Sequence, residues 1–413
     1  MEMGFPLADY QPGCKSKPSM NLIASQTDTL AFASEKEMKQ YDVAIIGGGL
    51  AGLALAIQLA NENFKVIVIE KEMYPFHRVC GEYISFESWN FLENLGYALS
   101  DMDLPAIKNL EVSSPNGNIL AQPLTLGGFG ISRYKIDAEL AQIAKNSGAE
   151  VAENEKVNDV VFRGNHFSVE STHRTIKATV VAAAFGKRSN LDVKWKRPFV
   201  LQKPGKLDNY VGVKYHIKID APADTIALHN FSDGYCGLSQ VEDKLYCLCY
   251  LTTARNLRNS NNSIGIMEKN ILYKNPVLKD IFTKAEFIRS EPVTIAQVSF
   301  TKKKQVENHM LMVGDAAGMI TPLCGNGMSM ALHASKLAAE GIALFLRHKT
   351  TRQQMESSYA VEWNALFARR LRTGRLIQYM FGKPSLTNIF IAILKPFPKF
   401  IAWLIRQTHG EPF

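Results

Sequence analysis

The sequence predicts an α/β fold with two sheets and a helical C-terminal tail. Three observations lead there. The runs at 43–46, 64–69, 179–184 and 310–313 are short and mostly apolar, as buried parallel strands are. Between about Trp195 and Lys302, "NYVGVKYHIKI", "TIALHNF", "YCGLSQV" and "KLYCLCYLT" are aromatic and β-branched runs broken by Gly, Asp and Asn. That pattern predicts an antiparallel sheet. After Ala365 the chain turns basic, and Pro384, Pro396 and Pro398 divide it into short apolar helices. With 413 residues, 46% hydrophobic and 21% charged, the chain can bury the cores of two or three domains.

The strongest local signal begins at Tyr41, "YDVAIIGGGLAGLALAIQLANENFKVIVIEK". Gly47, Gly49 and Gly52 form GxGxxG between a strand and an Ala/Leu-rich helix that Leu50 and Ala51 open. Glu70 and Lys71 end the next strand. Gly47 permits a tight turn, Gly49 admits a pyrophosphate to the backbone, and Gly52 lets helix and strand pack closely. The helix N-terminus offers free N–H groups to phosphate, and Glu70 can accept from ribose hydroxyls. This is a Rossmann-type dinucleotide site. A glycine-rich turn without a ligand is the competing reading.

The segment "VGDAAGMITPLCGNGMSMAL" sits about 265 residues later. Gly314 and Asp315 end a strand, and Pro322, Gly325, Gly327 and Met328 lead into a helix reaching about Phe345. Asp315 suits a ribityl hydroxyl, the small residues admit a cofactor to the backbone, and the helix N-terminus suits the N1/C2 carbonyl end of a reduced flavin. FAD is therefore expected in preference to NAD(H).

Together the two anchors resemble those of FAD-dependent oxidoreductases, a superfamily of aromatic hydroxylases, geranylgeranyl reductases and flavin halogenases. "FHRVCGEYIS", with Arg78, Cys80, Gly81 and Glu82, looks like the arginine-containing loop of the geranylgeranyl reductase-like branch. "SRYKIDAELA" resembles the family's R-x-x-x-D-x-x-L helix through Arg133, Asp137 and Leu140. The resemblance implies that Glu70, Arg78, Arg133 and Asp315 contact FAD. It departs at Phe185, where related hydroxylases carry the Asp of A-D-G-x-x-S, so hydroxylase-style nicotinamide use is not expected. NAD(P)H remains a candidate electron donor. Lys187 and Arg188 read either as a site for its phosphate or as a solvated basic turn.

The expected organisation is a flexible leader at 1–40, with translation beginning at Met38. The FAD-binding domain takes 41–190, with room for substrate-domain insertions, and 303–345. A mainly antiparallel substrate domain takes 195–302, and a helical tail takes 346–413. Phe231, Tyr235, Tyr246 and Tyr250 could line a pocket or pack sheet against helices. His216 and His229 read as structural hydrogen bonders. No His/carboxylate cluster has metal-ligand spacing, so no metal is expected. The six cysteines form no disulfide framework, as in a cytoplasmic protein. Cys80 and Cys324 are candidates near the flavin, as a redox pair or as two small buried residues.

The net charge of +8 comes without a sustained basic tract, and nucleic acid is not an expected partner. The tail's bases and apolar runs suit either peripheral membrane contact or helices capping the substrate domain. The leading functional expectation is an oxidoreductase that reduces or dehydrogenates a lipophilic unsaturated substrate by hydride exchange at flavin N5. No side chain is assigned as proton donor. The competitors are a monooxygenase acting on an aromatic or polyketide-like compound and a flavin-binding electron carrier.

Overall fold

A computed structural model describes residues 38–201, 209–321, 325–380 and 383–413, with 40–413 as one unit. Nearly all of the expected leader, and Pro322 and Cys324, lie outside the described residues.

Gln40–Ile46 is the centre of the first sheet. It pairs in parallel with Val66–Ile69 on one side and Thr175–Ala183 on the other, Val43 facing Val66 and Val180. Glu150–Ala152 and Met310–Met312 extend these flanks, also in parallel. Helices cover the central strands, so Val43, Ala44, Ile45 and Val68 are wholly buried. Each such aliphatic side chain contributes roughly 1.5–3 kcal/mol. Periodicity alone could not separate these runs from buried helix; the flanking glycines did.

The second sheet runs from Glu286–Phe287 through Tyr210–Lys218, Tyr246–Thr253, Gly234–Gln240, Thr225–Phe231, Ala106–Ser113 and Ile119–Gly130 to Tyr83–Ser85. It is antiparallel except where Thr225–Phe231 meets Ala106–Ser113. The strands between 83 and 130 thus leave the nucleotide-binding segment and complete the substrate sheet. One face packs on the helices between 254 and 284, burying Leu248, Tyr250, Leu278 and Phe282. The other turns Val112, Leu120 and Leu228 toward Ile391, Leu394 and Ile401 of the tail.

Gly327–Leu346 is flanked by the 29-residue helix Arg352–Met380. Met355, Tyr359, Trp363, Phe367 and Leu371 recur every fourth residue along the latter and are all buried, a stripe facing one neighbour. Pro384–Leu394 and Pro398–Arg406 end the chain's helical part. Among the described residues no single helix is long and apolar enough to cross a membrane; these last two pass that test only as a pair, bent by 116°.

Candidate functional site

The glycines of the first anchor adopt the geometry their spacing implies. Gly47 has φ +102°, and a Cβ there would come within 2.6 Å of the Ala184 carbonyl oxygen. At Gly52 a Cβ would lie 2.1 Å from the Gly47 carbonyl oxygen, so helix and strand can meet only with hydrogen there. Gly49 caps Leu50–Asn61 in extended conformation with no side-chain cap, leaving the first N–H groups free for an anion. Leu50 and Ala51 are the first, buried residues of that helix.

Around this loop stands a charged frame. Glu70 Oε2 accepts from the Gly48 amide at 2.8 Å and from Arg78 at 2.9 Å. Arg78 also reaches Asp137 at 3.0 Å. Arg133 grips both oxygens of Asp137, at 2.8 and 2.7 Å, and a Cβ on Gly49 would lie 3.4 Å from its Nη2. Asp137 therefore orients two arginines toward one end of the loop. Lys71 stands apart on the surface, 3.3 Å from Glu72.

The second anchor lies beside the first. Gly314 has φ +65°, and a Cβ there would be 3.1 Å from that of Ala51. Gly314, Asp315 and Gly327 line a common small cleft. Gly327–Leu346, with Met328 buried in its first turn, also has no side-chain cap. Two uncapped helix N-termini, a glycine face and two oriented arginines are a donor set that fits FAD.

A third group was not foreseen. Glu82 is wholly buried with φ +55°. Its Oε1 accepts from the Arg133 amide at 2.7 Å and pairs with the buried ammonium of Lys214. Its Oε2 lies 2.6 Å from His216 Nε2. Burial works to raise the Glu82 pKa, but Lys214 and His216 outweigh it and hold it at about 2. Glu82, His216 and Cys247 bring their donor atoms within 4.8 Å of one another, a grouping that sequence spacing could not display. The Lys214 ammonium already neutralises the carboxylate, so this donor set disfavours a cation. Lys214 and His216 were recoverable, being i and i+2 on one strand and so on one face.

The loop carrying Cys80 is pinned to the sheet. Ser239 donates to the Gly81 carbonyl at 3.0 Å, and Cys247 Sγ to the Cys80 carbonyl at 3.2 Å. Lys187 donates to the Val79 carbonyl at 3.0 Å. Lys187 is thus tied to backbone, not solvated, while Arg188 is exposed. Buried Lys303 holds the Lys187 and Asp315 carbonyls, both at 2.9 Å, and burial lowers its pKa to about 8. Cys80 is half-buried, and its pairing with Cys324 lies outside the described residues.

The four aromatics do not line the cavity. Tyr250 donates to Glu268 at 2.8 Å and packs edge-on to Phe231. Tyr246 donates to the Ala221 carbonyl, and Tyr235 is buried in the sheet's opposite core. His229 is structural as expected, 3.0 Å from Ser113 Oγ, with burial lowering its pKa to about 4. The apolar cavity lies across the sheet. It holds about 110 Å³ and runs from Tyr83 and Gly325 between Val112, Leu120 and Leu228 and the tail's Phe390, Leu394 and Ile405.

A model of the FAD binding domain family matches residues 40–370. The chain belongs to that family. It is an FAD-dependent enzyme of the oxidoreductase class. Conditioned medium factor receptor 1 of Dictyostelium discoideum is 26% identical over 93% of this chain and 80% of its own length. A digeranylgeranylglycerophospholipid reductase of Methanococcus vannielii is 24% identical over 79% and 82%. A geranylgeranyl bacteriochlorophyll reductase-like structure from Thermoplasma acidophilum superposes with TM-score 0.74 at 19% identity, covering 91% and 97%. The flavin-dependent brominase Bmp2 superposes at 0.72 with 21% identity, covering 90% and 93%. At these identities the FAD-binding enzymes share a fold and differ in chemistry.

Proposed function

We propose that this enzyme is a geranylgeranyl reductase-like flavoprotein that reduces or dehydrogenates a lipophilic unsaturated compound. The observation that carries the reading is the apolar cavity reaching Gly325 of the flavin loop. FAD, when bound, supplies hydride-transfer chemistry. Glu70, Arg78 and Arg133 hold it, Asp137 orients the arginines, and Lys303 and Lys187 tie the Asp315 turn to the Cys80 loop. The aliphatic walls exclude water and orient a hydrocarbon chain. NAD(P)H is the proposed electron donor.

The reading extends to a cytoplasmic enzyme at a membrane surface. Leu386, Ile389, Ile393, Phe397, Phe400 and Trp403 are each about half exposed or more, and Lys383, Lys395, Lys399 and Arg406 lie among them. The opposite sides of these helices wall the cavity, so lipid could enter from the bilayer they touch.

A second reading is a flavin-dependent monooxygenase hydroxylating an aromatic or polyketide-like substrate, a chemistry the same FAD-binding fold can host. Anaerobic turnover separates the two. Oxidation or reduction of an unsaturated lipid without oxygen supports the first reading, and strict oxygen dependence supports the second.

A further inference from the structure

The cavity is walled mostly by aliphatic side chains, and the polar side chains among its lining residues are Tyr83, Thr408 and His409. Two of the three are engaged. Thr408 Oγ1 donates to the Ile405 carbonyl at 2.8 Å, and His409 Nδ1 lies 3.0 Å from the same oxygen. Tyr83 is not. It is 4% exposed, and its hydroxyl has no hydrogen-bond partner among the described residues. A buried, unsatisfied hydroxyl costs about 1–3 kcal/mol. Such a group in a native fold calls for a ligand or another compensation.

The ring occupies space that only glycine leaves open. A Cβ on Gly128 would sit 2.7 Å from its Cε2 and Cζ, and one on Gly325 would sit 3.2 Å from Cδ1. Two glycines therefore clear a slot for Tyr83 between the substrate sheet and the flavin loop. Behind it, Glu87 is wholly buried. Its carboxylate has Asn326, Ser329 and the Gly410 amide nearby, and Arg370 at 3.6 Å, yet closes no well-formed hydrogen bond with them.

We infer that Tyr83 is the polar anchor of the cavity, donating a hydrogen bond to the single oxygen function of an otherwise hydrocarbon ligand. The anchored end would lie beside Gly325 and the chain beneath the tail helices. The inference rests on the proposed lipophilic substrate and narrows it to long-chain alcohols or carbonyl compounds over plain hydrocarbons.

Equilibrium dialysis of the FAD-loaded enzyme against geranylgeraniol, and against the hydrocarbon lacking only its hydroxyl, tests this without turnover. The wild type should bind the alcohol about two- to tenfold more tightly, the span of one net hydrogen bond. Tyr83→Phe should bind both alike, with hydrocarbon affinity unchanged. Equal binding of the two by the wild type, or a preference that survives in Tyr83→Phe, would overturn the anchor while leaving the cavity reading intact. Wild type that binds neither would remove the lipophilic substrate as well. Thermal melting of the ligand-free variant gives an independent readout. Tyr83→Phe should be as stable as wild type or more so, and marked destabilisation would reveal a protein partner for the hydroxyl and sink the inference.

Discussion

Lys214 and Glu82 meet where neither side chain reaches water. Taking two charges out of water costs several kcal/mol each, and their attraction offsets this only with full hydrogen bonding. The Arg133 amide and His216 supply the further contacts to Glu82. The pair ties the Cys80 loop to the strand Tyr210–Lys218, and Glu82 also holds the first turn of the Arg133 helix through its amide.

Removing one partner leaves the other buried and uncompensated. Lys214→Met or Glu82→Gln alone should destabilise the enzyme by about 3–5 kcal/mol. The double replacement should recover much of that loss. Urea denaturation of the three variants checks it, and additive losses would mean that the pair is not coupled.

The same carboxylate sets an acid limit. Its pKa is about 2 in the fold against an ordinary 4.5. A depressed carboxylate pKa stabilises the fold fully above the unfolded value, and that contribution fades as pH falls through the folded one. Stability should therefore drop between about pH 4.5 and 2, and the Glu82→Gln/Lys214→Met double variant should show a shallower drop. Thermal melts across that window provide the comparison.

In the proposed FAD site, Asp137 holds Arg78 and Arg133 in place. Asp137→Asn keeps the shape and removes the charge that aims both guanidiniums. FAD affinity should fall by about tenfold or more, the worth of one charge-assisted hydrogen bond. Fluorescence titration of apoenzyme with FAD measures it. Unchanged affinity would mean that the arginines hold their positions unaided.

Gly52 separates packing from binding. Its missing side chain faces the Gly47 carbonyl oxygen 2.1 Å away, whereas Gly49 faces only an arginine tip at 3.4 Å. Gly52→Ala should lower the melting temperature sharply. Gly49→Ala should melt near wild type in the apo form and yet bind FAD weakly, because the methyl occupies the pyrophosphate approach.

The tail prediction concerns membranes. Phe400→Ser/Trp403→Ser should lose binding to vesicles containing anionic lipid and keep its FAD content, since both side chains are about half exposed at 48%. Co-sedimentation with phosphatidylglycerol vesicles tests this, and retained binding would assign the face to another role.

The glycine loops were legible because a Cβ is excluded by backbone atoms nearby in sequence or by a fixed motif geometry. Glu70, Arg78 and Arg133 followed from motif positions. The Lys214–His216 contact to Glu82 was not visible, because it joins residues more than 130 positions apart. The Lys187 contact was hidden for the same reason: its partner, the Val79 carbonyl, is 108 residues away and belongs to the backbone. The aromatic runs gave the strands of the second sheet but not their faces. Phe231 and Tyr250 turned to the helices between 254 and 284, and aliphatics took the cavity side. Strand alternation gives two faces, and only the tertiary partner decides which one meets ligand.

The most direct measurement of the central claim is anaerobic single turnover. FAD-loaded enzyme, reduced without oxygen, is mixed with an unsaturated long-chain isoprenoid, and oxidised enzyme is mixed with its saturated counterpart. The account predicts that one of the two mixtures changes flavin absorbance without oxygen, and that the lipid gains or loses two hydrogen atoms by mass. Absorbance that stays fixed in both until oxygen is admitted, with a product carrying a new oxygen atom, would contradict it.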